Sequence, residues 1–252
     1  MNQFAEILNK SGNKLHVNVI NHLRKNGWET IISPYYLDGI TSKPRELDII
    51  AVKYFEFKTK LEESRYIRVR FFIECKYLSN PSIVWVDDID KENSTRLVNQ
   101  FFINTSTKSK TYNHRYKDIK IVGKMFDDDT AKDKNNKSLF LAINQCLNGY
   151  IYGKFNTTYI DKRYSPIYLR LDYPLIITDK FDNFKFLRMN MEQENIENNF
   201  LFEVNYVYRN KKGYDFNKYF LIDIVDFSTI DKFLGIIKID ADKIASNLSK
   251  KN

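Results

Sequence analysis

The run Ile67-Arg68-Val69-Arg70-Phe71-Phe72-Ile73 ends in Glu74-Cys75-Lys76, and 26 positions before Glu74 lies Asp48, within Arg45-Glu46-Leu47-Asp48-Ile49-Ile50-Ala51. Side chains alternate across a strand, so Glu74 and Lys76 project to one side, while Val69, Phe71, Ile73 and Cys75 make an apolar face on the other. Charges in such a strand are costly unless they are paired or bind a metal. Asp48, between Leu47 and Ile49, is expected to point away from their face toward the same site. Two carboxylates on neighbouring strands suit a hard cation such as Mg²⁺, which takes oxygen ligands from one or two carboxylates and fills the rest with water and substrate phosphate. Mn²⁺ accepts the same ligands. Such an ion polarises a phosphoryl oxygen and lowers the pKa of a bound water. A lysine two residues past the second carboxylate offsets charge building on the phosphate. The structural alternative is that Asp48 and Glu74 pair with Lys76 or an arginine across two strands.

The elements that must hold these residues are legible from periodicity. Leu15, Val19, Ile20 and Leu23 recur at helical spacing within Asn13–Lys25, and Asn26-Gly27 supplies a stop. Strands are expected at Trp28–Ser33, Glu46–Val52 and Ile67–Tyr77, with a polar connection around Phe57–Ser64. From Pro81 to Asn136 the pattern weakens. That stretch holds the polar run Asn104–Lys110 and the charged run Asp127–Lys137, read as exposed loop. A helix follows at Leu139–Leu147, ending near Asn148-Gly149. Strands follow at Tyr173–Thr178, Phe184–Met189, Phe200–Tyr208 and Tyr219–Phe227, and then a C-terminal helix from about Thr229 or Ala241. This order predicts an α/β domain with a mixed central sheet flanked by helices. Residues 1–179 would form the core, with an insertion at about 81–136. Residues 180–252 would form a β-rich extension ending in a helix and packed on the same domain.

Composition sets the wider bounds. The 252 residues are 43% hydrophobic and 29% charged, with 17 Tyr, 19 Phe, 8 Gly and 5 Pro, which fits a folded chain and excludes a low-complexity one. The best apolar runs, Leu139–Ile143 and Phe220–Val225, are too short for a transmembrane span, and Met1–Glu6 lacks the start of a signal peptide. Two cysteines, Cys75 and Cys146, imply neither a disulfide framework nor a zinc site. A cytoplasmic protein with no membrane partner is expected. The net charge of +8 favours a polyanionic partner, although an AT-rich genome also enriches Lys, Asn, Ile and Tyr.

At the two charged strands the chain resembles the PD-(D/E)XK nuclease superfamily, particularly its restriction-endonuclease-like and Mrr-like branch. Arg45-Glu46-Leu47-Asp48-Ile49 resembles the family's Arg-Glu-Ile-Asp strand, and Ile73-Glu74-Cys75-Lys76 its Glu-Cys-Lys strand. Lys14-Leu15-His16 through Gly27-Trp28 resembles the opening helix, and Leu139–Gly149 the helix after the catalytic strand, in which a glutamine, here Gln145, is common. The resemblance covers residues 13–75 well and 139–178 weakly. It implies a restriction-endonuclease-like core and a Mg²⁺-dependent endonuclease acting on DNA in restriction or another anti-phage defence. Asp48, Glu74 and Lys76 would be catalytic, with Asp48 and Glu74 as metal ligands, and the partner would be a second copy or a defence-complex protein. The alternatives are an inactive nucleic-acid-binding or scaffold subunit with this fold, and an RNase with the same site.

Around that core stand residues with two readings each. His16 falls where the family's first helix often carries a metal-binding acid, yet its neighbours Val19 and Ile20 suit a core histidine. Glu46 shares the expected strand face of Asp48, and could support the acidic cluster or pair with Arg45. Gln145 could orient Lys76 or a water, or cap a helix. Arg68 and Arg70 share the face of Glu74 and Lys76, as phosphate donors or as solvated strand-edge arginines. Asp87-Asp88-Ile89-Asp90 lacks the glycine and terminal glutamate of a calcium loop and is read as a solvated turn.

Overall fold

The computed structural model describes residues 13–78, 81–102, 114–128, 138–153, 163–196, 199–210 and 212–250. In chain order these form α1 (Asn13–Lys25), β1 (Glu29–Ile32), β2 (Tyr35–Leu37), β3 (Pro44–Glu46), β4 (Ile49–Lys58), β5 (Ser64–Lys76), β6 (Ser82–Asp88), α2 (Lys91–Phe101), β7 (Ile121–Asp128) and α3 (Ser138–Tyr152). Then come β8 (Ile167–Thr178), β9 (Phe184–Arg188), β10 (Gln193–Glu194), β11 (Asn199–Arg209), β12 (Asp215–Asp226) and α4 (Ile230–Ser249). Ten strands make one mixed sheet in the order β1-β4-β5-β8-β12-β11-β7-β6-β9-β10, and β2 and β3 form a separate hairpin. Among the described residues four helices flank this α/β sheet, and none is long and apolar enough to cross a membrane.

Alternation along the strands sorts the core into two layers. Ile49, Ala51, Val69, Phe71, Ile73, Leu175 and Val225 face α1, α2 and α4, joined by Leu15, Val19, Leu23, Phe233 and Ile237. Ile50, Val52, Phe72, Ile176 and Ile224 face α3 through Leu139, Ala142, Cys146 and Leu147. The four apolar residues spaced along α1 are all buried. Gly27 ends that helix with φ 75°, a left-handed conformation suited to glycine, and Trp28 N–H reaches back to the Leu23 carbonyl. Trp28 then stacks on Phe71, ring centroids 4.5 Å apart, which fixes α1 against the middle of β5.

Several expectations change. The strand expected at Glu46–Val52 is broken at Leu47-Asp48: Glu46 ends β3 in the small hairpin, and β4 starts at Ile49. Leu47 packs in the α3 layer and Ile49 in the opposite one, so they do not share a face. The weakly patterned stretch contributes β6, α2 and β7 to the fold. Its acidic cluster is no solvated turn: Asp87 and Asp88 end β6, and Asp90 caps α2 by accepting Asn93 N–H at 2.9 Å. The runs 104–110 and 129–137 lie outside the described residues. Strands β9 to β12 join the same sheet, with β12 directly beside β8.

Gly149 does not stop α3, which continues to Tyr152. Its small size serves packing, since a Cβ there would lie 2.7 Å from Leu47 Cδ1. Overpacking of this kind costs roughly 1–3 kcal/mol, against about 1 kcal/mol of helix propensity gained from alanine. Gly149→Ala is therefore expected to lower the thermal midpoint while displacing Leu47, the neighbour of Asp48. An equal or higher midpoint would show that Leu47 yields freely.

Candidate active site

Asp48 sits in the bend between β3 and β4, at the point where main-chain pairing of β4 with β5 ends at Ile49↔Ile73. Its side chain replaces the missing ladder: Oδ2 accepts the Cys75 N–H at 2.7 Å. That bond fixes the carboxylate beside the residue separating Glu74 from Lys76. The Asp48 carbonyl is held from two sides, by Ser33 N–H at 2.8 Å and by His16 Nε2 at 2.9 Å. A carbonyl only accepts, so His16 must carry its proton on Nε2 in this contact. His16 thus reaches the site from α1 through the main chain of Asp48 and not as a core residue.

Glu74 lies on the face of Phe72 in the α3 layer and is 5% exposed. Its Oε2 is buried, and among the described residues no donor bonds to it. Burial, and next the charge of Asp48, push its pKa up to about 9, against the partial relief of Lys76. Burial raises Asp48 as well, while the Cys75 hydrogen bond, His16 and Lys76 pull it down. Desolvation disfavours the charged form, and a second carboxylate compounds it. The charge of Lys76 favours the ionised form of both acids, and among the described residues it makes no ion pair with either. Among the described residues the structural salt bridge that would explain the charges is therefore not made. Around Glu74, Asp48 and Lys76 are half-buried and Glu46 is exposed.

The arginines of β5 are engaged elsewhere. β5 is an interior strand, so Arg68 and Arg70 are not solvated edge residues, and both are buried. Arg70 grips Asp172 of β8 with Nε at 3.1 Å and a terminal nitrogen at 2.7 Å, and Arg68 adds a bond at 3.1 Å. A phosphate role would require them to leave Asp172. Sequence reasoning missed Asp172, although an acid between Leu171 and Tyr173 carries the same signal that exposed Glu74. Glu46 is on β3, apart from the main sheet, yet near enough to raise both carboxylates. Gln145 is exposed on α3, one turn before Gly149, the residue that packs on Leu47. Tyr36 is buried on β2, and the charge of Glu74 adds to burial and Asp38 in holding its phenol protonated.

The oxygen-only pair fits a hard divalent cation: the charge of Asp48 raises the pKa of buried Glu74, and one buried Glu74 oxygen has no donor among the described residues. Among the described residues no group of three or more His, Cys, Asp or Glu side chains could hold a metal, so water and a phosphate would complete the shell. Comparison with protein-family models, curated proteins and solved structures finds no match to this chain.

The His16 contact makes a modest prediction. Replacing His16 with alanine leaves the Asp48 carbonyl with one donor, at a cost of about 1 kcal/mol. Unfolding in denaturant should report that loss with an unchanged slope, and a loss near zero would mean water substitutes for the imidazole.

Proposed function

We propose that this chain is a Mg²⁺-dependent nuclease that hydrolyses DNA phosphodiester bonds through Asp48, Glu74 and Lys76, on a restriction-endonuclease-like core of the PD-(D/E)XK type. The observation that carries the proposal is Glu74: a buried carboxyl group beside a second carboxylate, with an oxygen that no donor satisfies and no cation in ion-pair contact among the described residues. Resting carboxyl groups of that kind lower stability, so their value lies in what they bind.

A bound Mg²⁺ would supply polarisation of the scissile phosphate and a more acidic water. The chain's own groups do the rest. Asp48 and Glu74 would each offer a carboxylate oxygen, and the Cys75 N–H holds the Asp48 carboxylate in place. Lys76, two residues along the same face as Glu74, is free to place its ammonium against charge developing on the phosphate oxygens. His16 and Ser33 fix the main chain of Asp48, so the carboxylate cannot drift with the bend.

The direct test is purified protein incubated with plasmid, linear and single-stranded DNA and with RNA, in Mg²⁺ or Mn²⁺ against EDTA. Metal-dependent loss of DNA is expected, and intact substrates under every condition would remove the proposal. Binding should also weaken steeply with salt, with a log–log slope of about −0.9 for each phosphate neutralised. A flat curve between low and moderate salt would reduce the +8 charge to compositional drift.

A further inference from the structure

Strands β11 and β12 run together for eleven register pairs, from Asn199↔Val225 to Arg209↔Asp215. Only their inner ends are built into the sheet. β12 pairs with β8 from Asp223↔Leu175 to Asp226↔Thr178, and β11 pairs with β7 at Phe202↔Gly123. Where β8 and β12 part stands Pro174, which has no N–H to give a ladder. Beyond that point residues 204–210 and 212–219 pair, among the described residues, only with each other, as a two-stranded ribbon. The ribbon leans on neighbours of the candidate site: Tyr206 donates to Asn148 of α3 at 3.0 Å, and Tyr152 donates to the Arg209 carbonyl at 2.9 Å. Gly39 of the β2–β3 hairpin comes so close that a Cβ there would lie 2.7 Å from that carbonyl.

The two faces of the ribbon differ. Tyr206, Tyr208, Phe216 and Lys218 share the face turned toward α3, with Tyr208 stacked on Phe216. Asn205, Val207, Arg209, Asp215 and Asn217 occupy the other face, and all are exposed. The turn is tight and preset: Asn210 Oδ1 accepts Lys212 N–H and Tyr214 N–H, and Gly213 takes φ 85°. Tyr214 there is 65% exposed. Residues 204–219 carry Arg209, Lys211, Lys212 and Lys218 against the single acid Asp215. Among the described residues Lys218 makes no ion pair. Arg209 pairs with Asp215 at 2.8 Å, but both are about half exposed, so that pair is worth little and is readily exchanged for a phosphate.

We infer that the β11–β12 ribbon is a docking arm for duplex DNA, entering the major groove with its exposed Asn205, Val207, Arg209 and Asn217 face. The major groove of B-form DNA admits a two-stranded ribbon, and amide and guanidinium groups are those that bond base edges there. The basic turn is suited to the flanking phosphates. A-form RNA excludes the ribbon, because its major groove is deep and narrow. The inference deepens the nuclease proposal by naming the substrate as double-stranded DNA, but binding does not depend on hydrolysis.

The test uses full-length protein in EDTA, which separates binding from cutting. Fluorescence anisotropy would compare labelled duplex DNA, the single strand and duplex RNA, for wild type and for an Arg209→Ala, Lys212→Ala, Asn217→Ala variant whose melting curve matches wild type. Duplex DNA is expected to bind best, and the variant to lose at least about tenfold with a shallower salt slope, by about 0.9 per lost phosphate contact. A second variant, Val207→Asn, should weaken duplex binding while leaving net charge unchanged. Wild-type affinity in the folded variants, or preference for single strands or RNA, overturns the inference. Loss of duplex binding in a protein that cuts nothing with Mg²⁺ would keep the arm and remove the nuclease. Unimpaired duplex binding and cutting by the triple variant would do the reverse.

Discussion

Glu74→Gln is expected to yield a folded protein whose Mg²⁺-dependent cleavage has fallen by a factor on the order of 10²–10³ or more. The amide matches the carboxylate in shape, so packing against the α3 layer is retained, but it brings no negative charge to a cation. Removing one group that stabilises charge at a reacting centre costs about 3–4 kcal/mol of transition-state stabilisation, which is that factor. Lys76→Ala should lose a comparable amount by a different route, leaving metal affinity intact while charge on the phosphate goes unanswered. The pair separates two roles: excess Mg²⁺ should not rescue Lys76→Ala, whereas the metal titration itself is altered in Glu74→Gln. Cleavage by Glu74→Gln at the wild-type rate would sink the assignment and leave its unsatisfied oxygen unexplained.

The residues of the candidate site were legible in the sequence because strand chemistry is local. Glu-x-Lys inside an apolar run is visible from alternation alone, and the contrast between Arg68, Arg70, Glu74, Lys76 and the Val69–Cys75 face needs no tertiary information. The bend at Leu47-Asp48 was not visible. A continuous β pattern, Glu46 through Val52, hides a break whose cause is long-range: Leu47 is drawn to Gly149 of α3, and Asp48 to the Cys75 amide. Gly149 misled for the same reason, since a glycine that ends a helix and one that admits a neighbour look alike in a chain. The arginines of β5 needed their partner, and Asp172 lies about a hundred residues away on β8. The place of β11 and β12 inside the sheet was illegible because strand order is set by crossovers and not by local pattern. Likewise Arg115, buried against Asp223 and Tyr173 beneath α4, belongs to a weakly patterned stretch whose strand and helix emerge only through packing.

Metal-free wild-type protein is expected to lose stability as pH rises from about 6.5 to 9, and Glu74→Gln is expected to lose far less. Glu74 titrates near 4.5 when unfolded and is pushed up to about 9 in the fold. Between those values the folded state holds a proton that the unfolded state has released. Unfolding stability then falls with pH, by at most about 1.4 kcal/mol per unit for one proton. The contribution is complete below about 4.5 and gone above about 9, and burial sets its scale at several kcal/mol across the whole span. Asp48 is shifted in the same direction, by burial first. Asp240, raised to about 6 by burial, contributes the same sign but finishes lower, and His114, held well below 6.5 by burial, contributes the opposite sign, so the difference between wild type and Glu74→Gln, and not the slope of either alone, reports the candidate site. Mg²⁺ should reverse the effect. Binding to the ionised pair stabilises the fold by RT ln(1 + [Mg²⁺]/Kd), and Kd falls as the proton is removed, so the gain in thermal midpoint grows with pH. A structural salt bridge makes the opposite forecast, since replacing Glu74 would then destabilise the protein throughout this range. Denaturant or thermal unfolding of both proteins at pH 6.5, 7.5 and 8.5, with Mg²⁺ and with EDTA, decides the matter. Parallel pH curves for wild type and Glu74→Gln, with no Mg²⁺ shift in either, would show that Glu74 neither holds the proton nor binds the ion.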